Sequence, residues 1–114
     1  MCGIAGSCQR KKTEKLVKKQ SHRGQSTETT ETGNFALGNV LHSVVGNVKQ
    51  PVQDQGILTA NCEIYNWKKL AKNHGFKVEN DAELLLKLLD KEGKEALKQL
   101  DGIYAFAYRK DNRI

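Results

Sequence analysis

The sequence is poor in the residues that break or staple a chain. One proline and ten glycines in 114 residues exclude a collagen-like repeat and a Pro/Gly-rich disordered chain. No apolar run approaches the roughly 20 residues that a membrane helix needs. The start, Met1-Cys2-Gly3-Ile4-Ala5-Gly6, lacks the basic stretch and long apolar core of a secretory signal, so the chain is expected to be cytoplasmic and off the membrane. The three cysteines, Cys2, Cys8 and Cys62, form no C-x-x-C pair and have no histidine at zinc-finger spacing. That argues against a disulfide scaffold and a structural zinc site, and no metal is expected. An odd number leaves at least one thiol free.

Acidic side chains are scarce in one place only. Residues 1–23 carry seven basic side chains against Glu14 alone, while the twelve basic and twelve acidic side chains of 24–114 balance. The net charge of +6 therefore sits on one short segment. Such a segment can track phosphates, but it has no aromatic side chain for base stacking. A solvated helix face is the expected role, and nucleic acid is not the expected partner. With 38% hydrophobic and 28% charged residues, the chain suits one small domain.

Gly3–Cys8, small and mostly apolar, reads as a buried first strand. Lys11–Gln20 has helix-forming composition, with Leu16 and Val17 to bury. Ser21–Gly33, rich in Ser, Thr, Glu and Gly, reads as a loop. Phe35–Asn39 and His42–Val45 are strand-like, with a turn at Gly46-Asn47, and Ile57–Ala60 is a further short strand. Tyr65–Asn73 is expected to be helical, with Trp67, Leu70 and Ala71 near one face, ended by His74-Gly75. Asn80 caps the next helix by accepting from first-turn amides, and Glu83 reaches back. Leu84, Leu85, Leu86, Leu88 and Leu89 make that helix apolar around much of its girth, hence well buried. Gly93 breaks it, and Glu95–Leu100 resumes a short helix. Tyr104–Tyr108 is a strand with its aromatics on one face. Lys110–Asn112 is a turn, and Arg113-Ile114 starts a returning strand. A hairpin arm of two residues leaves an unpaired ladder, so the chain is expected to be a piece of a larger folding unit.

The chemistry gathers at the start. Removal of Met1 would make Cys2 the N-terminal residue, with thiol and α-amine on one carbon framework. An α-amine titrates near about pH 8 and a thiol near about 8.5, so the amine can serve as general base for the thiol at neutral pH. Gly3 lets the backbone approach a substrate closely. Taken alone, Cys2 is equally a small hydrophobe on a first strand.

It does not stand alone. The blocks Met1-Cys-Gly-Ile-Ala-Gly6, His22-Arg-Gly24, Ala36-Leu-Gly38, Ser43-Val-Val45, Gln50-Pro51, Asn61-Cys-Glu-Ile-Tyr-Asn66, Asn80-Asp-Ala-Glu83 and Leu100-Asp-Gly-Ile-Tyr-Ala-Phe-Ala107 echo patterns that read MCGIxG, HRGPD, LGHxRLSIVD, QP, NGEIYN, SDxE and LxGxFAFA. In this order and at these spacings they resemble the glutaminase domain of class II glutamine amidotransferases, of the asparagine synthetase-like branch. These are N-terminal nucleophile hydrolases. The resemblance runs along essentially the whole chain. It implies an α+β fold of four layers, α/β/β/α, incomplete at the C-terminus, with 1–114 a partial amidotransferase domain and the synthetase domain absent. It implies that Cys2 attacks the side-chain carboxamide of glutamine. The oxyanion would be held by the Asn61 side-chain amide and the backbone N–H of Cys62. Asp81 would pair with the α-ammonium of glutamine, Glu63 would lie beside the same pocket, and Arg23 would brace the loop over it. No cofactor is implied for this step. ATP and magnesium are expected only in the missing synthetase domain or partner, which would accept the ammonia. A homodimer is compatible with the resemblance.

The departures from the pattern are specific. Leu41 stands where the family has the arginine that binds the glutamine α-carboxylate, and leucine makes no charge-assisted pair. A nearby cation such as Arg23 substitutes, or the ligand is not ordinary glutamine, or affinity is low. Cys62 replaces a glycine; if that glycine has positive φ, a cysteine there is strained. Gln25-Ser26 replaces Pro-Asp. The alternative to an enzyme is a binding or scaffold domain that keeps the fold and has lost hydrolysis.

Overall fold

The computed structural model describes residues 2–42 and 48–114. Of the strand expected at His42–Val45 only His42 is described, and the Gly46-Asn47 turn lies outside the described residues. β1 (Gly3–Ser7) and β2 (Ser26–Thr32) flank β3 (Phe35–Leu41) in one antiparallel sheet. β4 (Val52–Gln53) and β6 (Gly102–Arg109) flank β5 (Ile57–Ile64) in a second. Three α-helices, α1 (Arg10–Lys19), α2 (Trp67–His74) and α3 (Asp81–Glu92), complete the α+β arrangement with two 3-10 turns, Ser21–Arg23 and Gly93–Gln99.

β3 is buried on both faces, from Ala36 through Val40. On one face lies α1. A Cβ on Gly38 would collide with Val17 and press on Thr13, so glycine is what lets the helix come this close. On the other face Asn39 crosses to the second sheet. Its Nδ2 donates to Thr59 Oγ1 and to the Ala60 carbonyl, each at 3.2 Å. Thr59 Oγ1 in turn donates to the Gly38 carbonyl at 2.9 Å. The main core covers the opposite face of the second sheet, where Leu58, Ala60 and Ile64 of β5 pack against Leu70, Ala71 and the leucines of α3.

All five expected leucines of α3 are buried. Asn80 Oδ1 accepts the Glu83 N–H at 2.9 Å. The Glu83 carboxylate takes the Glu79 N–H at 2.7 Å rather than that of Asn80, and the chain enters the helix extended at Asn80 (φ −154°). Asn80→Ala is expected to lower stability by about 1 kcal/mol, read as a lower urea midpoint at unchanged slope. Trp67, Leu70 and Ala71 share the buried side of α2, and Gly75 closes that helix in the left-handed conformation (φ +70°).

Several expectations are corrected. Ser21–Gly33 is a 3-10 turn followed by β2, whose polar side chains suit an edge strand paired to β3 along its length. Leu16 is 37% exposed. α1 rests on Thr13 and Val17, four residues apart, and Thr13 satisfies its hydroxyl on the Ala36 carbonyl. In β1 only Gly3 is buried, since β1 is also a sheet edge. β5 runs four residues past the expected end at Ala60, so Asn61 stands on the strand. The segment after Gly93 is a 3-10 helix, Gly93–Gln99, one turn type tighter than expected. Lys110 and Arg113 bridge around Asp111 and Asn112, both at positive φ; the expected turn is there, and the returning strand is an isolated bridge at Arg113.

Candidate functional site

Cys2 leads into β1, and β1 lies against β5. The Cys2 sulfur accepts the His42 backbone N–H at 3.3 Å and sits 3.7 Å from the His42 carbonyl oxygen. Arg23 Nε donates to the Cys2 carbonyl at 3.1 Å, and its stem passes over Gly3. Arg23 thus braces the backbone of the cysteine itself. An open cleft of about 540 Å³ adjoins, lined by His22, Arg23, Gly24, Gln25 and His42.

β5 brings the other residues. Thr59 Oγ1 points to the first sheet, so Asn61 and Glu63 share that face by alternation. Asn61 is half-buried and Glu63 exposed. The Cys62 side chain turns the other way and packs on the α3 core. Cys62 is in regular strand, and among the described residues the non-glycine positive φ values belong to Asp111 and Asn112, so cysteine causes no backbone strain here. Asp81 is the first residue of α3, and its Oδ2 accepts the Ile64 N–H at 3.0 Å.

Among the described residues, one edge of β5 is only partly covered. β4 pairs with it at Ile57 and Leu58 alone. Beyond that the Ala60 N–H donates to Gln50 Oε1 at 2.7 Å, and the Ile64 N–H donates to Asp81. Amides two residues apart on a strand point to the same edge. The Cys62 N–H therefore faces this edge, between two amides that side chains have already satisfied.

Burial pushes the Cys62 thiol up, and the hydrogen-bonded Asp81 carboxylate, then Cys2 and Glu63, push it the same way. A raised folded value means that this group's contribution to stability is present below the ordinary thiol range and is lost above it. Stability is expected to fall as pH rises past about 8.5. In the same window exposed Cys8 is expected to alkylate well before Cys62, as peptide mapping after a timed iodoacetamide pulse would read.

The structure thus brings Cys2, Arg23, Asn61, Glu63 and Asp81 to the β1–β5 region, and places the Cys62 backbone N–H on the β5 edge with its side chain turned to the α3 core. Leu41 ends β3 with its carbonyl taken by the Gln25 N–H, and it brings no charge. Sequence reasoning missed Asn39 and Thr59, and it took Gln50 only as half of a dipeptide. The available signal was a polar residue inside an otherwise buried strand, which must find a partner. Among the described residues no three His, Cys, Asp or Glu cluster as a metal site, and no helix is long and apolar enough to cross a membrane.

The chain matches the glutamine amidotransferase domain family over residues 1–113. It is 32% identical over 112 residues to asparagine synthetase B (glutamine-hydrolyzing) of Escherichia coli, covering 86% of this chain and 20% of that protein. Against asparagine synthetase (glutamine-hydrolyzing) 1 of Arabidopsis thaliana it is 28% identical over 93% of this chain and 21% of the relative. A Methanocaldococcus jannaschii protein assigned as an asparagine synthetase (glutamine-hydrolyzing) is 34% identical over 79% of this chain and 18% of its own length. The chain thus spans about a fifth of the curated relatives it matches.

Proposed function

From the premise that this chain belongs to the glutamine amidotransferase domain family, on its asparagine synthetase-like side, we propose that it hydrolyses glutamine through Cys2 and releases ammonia for a partner domain or subunit. The observation that carries this reading is the juxtaposition at β1 and β5. Cys2 immediately precedes the strand that lies against β5, and β5 offers Asn61 on its inner face and the Cys62 N–H on its open edge.

The steps follow from these positions. With Met1 removed, the α-amine of Cys2 takes the thiol proton and the thiolate attacks the glutamine carboxamide carbon. The Asn61 amide and the Cys62 N–H hold the oxyanion, a contribution of about 3 kcal/mol per donor in comparable sites. Collapse breaks the C–N bond, and the ammonium of Cys2 gives its proton to the leaving nitrogen. Water then hydrolyses the thioester to glutamate and restores the thiol. Asp81 and Glu63 supply the negative charge that meets the substrate α-ammonium. Arg23 holds the Cys2 carbonyl and so the attack direction.

The same reading takes the fold as the four-layer α/β/β/α type, with α1 on one sheet and α2 and α3 on the other, and 1–114 as part of the glutaminase domain. ATP and magnesium are assigned to the ammonia-accepting part, and the location to the cytoplasm. The test is exposure to a diazo-ketone analogue of glutamine, followed by intact mass and peptide mapping. A chain lacking Met1 and labelled on Cys2 alone is expected. An unlabelled chain with Met1 removed overturns the reading. That outcome would promote the scaffold alternative, which Leu41 favours because it leaves the substrate carboxylate without the family's arginine.

A further inference from the structure

Two side chains outside the expected catalytic set, Gln50 and Asn39, converge on the open edge of β5. Gln50 is 5% exposed and Asn39 1% exposed. Gln50 Oε1 accepts two bonds, from the Ala60 N–H at 2.7 Å and from Asn39 Nδ2 at 3.4 Å. Asn39 Nδ2 also faces Thr59 Oγ1 and the Ala60 carbonyl. Turning the Asn39 amide over would set its carbonyl oxygen against those oxygens, so the orientation is determined by its surroundings. Four residues further along β5, Asp81 Oδ2 accepts the Ile64 N–H. A strand beside β5 would have taken all three edge amides. Here β4 stops short, and two side-chain acceptors replace it at the first and third.

We propose that Gln50, held by Asn39, is a positioning residue for the oxyanion donor: together with Asp81 it stands in for the missing strand and leaves the Cys62 N–H as the edge amide presented to substrate. This rests on the glutaminase reading for its consequence but on the β5 edge for its geometry. A donor on this edge must be aimed by its neighbours, because a small misplacement of a donor is expensive in a transition state and nearly neutral in the ground state. The prediction is therefore a split between kinetic constants rather than a general loss.

The experiment compares Gln50→Met, which keeps length and removes the acceptor, with Gln50→Glu, which restores an acceptor oxygen. Glutamate release is measured over a range of glutamine concentrations. In parallel, iodoacetamide alkylation of Cys2 reads the thiol by a displacement that forms no oxyanion. Gln50→Met is expected to lower kcat about tenfold or more with KM within about threefold and Cys2 alkylation nearly unchanged, and Gln50→Glu to recover most of kcat. Unchanged kcat with only a lower melting temperature overturns the proposal, as does an equal fall in Cys2 alkylation. If the wild-type protein releases no glutamate, the glutaminase reading fails separately. Amide hydrogen exchange then decides the geometry. Protected Ala60 and Ile64 flanking a fast Cys62, with Ala60 protection lost in Gln50→Met, support it; a Cys62 amide as protected as its neighbours overturns it.

Discussion

Cys2→Ala is expected to abolish glutamine hydrolysis while leaving the fold intact. Removing a covalent nucleophile costs up to about six orders of magnitude in kcat where a triad has been dissected, so glutamate release falls to background. The structural cost is small by comparison. Cys2 is half-buried, and among the described residues the hydrogen bonds of its sulfur go to the backbone of His42. The expected loss of stability is below about 1 kcal/mol. Melting temperature and glutamate release measured on one preparation separate the two. Retained glutamate release in the variant would remove Cys2 from the mechanism.

Leu58→Ala carries the largest expected effect on stability. Leu58 is fully buried on the face of β5 that packs against α3, with Tyr108 opposite it on β6. Truncating a leucine in such a place costs about 2–5 kcal/mol, the spread depending on how far the site collapses. Whole domains are stabilised by only about 5–15 kcal/mol, so the variant should stand near the edge of folding. Ile103→Ala makes the contrast. Ile103 is 71% exposed, and its truncation should stay within about 0.5 kcal/mol. Urea unfolding of both variants checks the pair, and a Leu58→Ala loss under about 1 kcal/mol would contradict the core described here.

The sequence was most legible where the signal is local. Asn80, the leucine pattern and Gly93 lie within one helix, and each acts through neighbours three or four residues away. β2 was illegible because its Ser, Thr and Glu residues owe their strand to β3, not to their own apolarity. Burial periodicity has nothing to detect on a polar edge. Leu16 misled for the opposite reason, being apolar yet one position off the line through Thr13 and Val17. At the site, the motif blocks marked Cys2, Asn61 and Asp81 as residues to examine. The side-chain direction of Cys62 was within reach, since a strand that aims Asn61 inward must aim its neighbour outward. The roles of Asn39, Gln50 and Thr59 were not, because each depends on a partner in the other sheet or on the open edge.

β3 belongs to both halves of the molecule at once, since α1 covers one side of it and the second sheet the other. Peeling away either cover exposes one face of the same buried strand, Gly38 and its alternates under α1 or Asn39 and its alternates under the second sheet, so neither half opens without uncovering part of the other. Partial opening at this seam therefore gains little chain freedom for a large exposure of apolar surface. The two sheets should melt in one cooperative step, with coincident transitions by circular dichroism and by Trp67 fluorescence. The cysteine that leads into β1 and the amide edge on β5 would then be lost and regained together, so a population that has one assembled has the other.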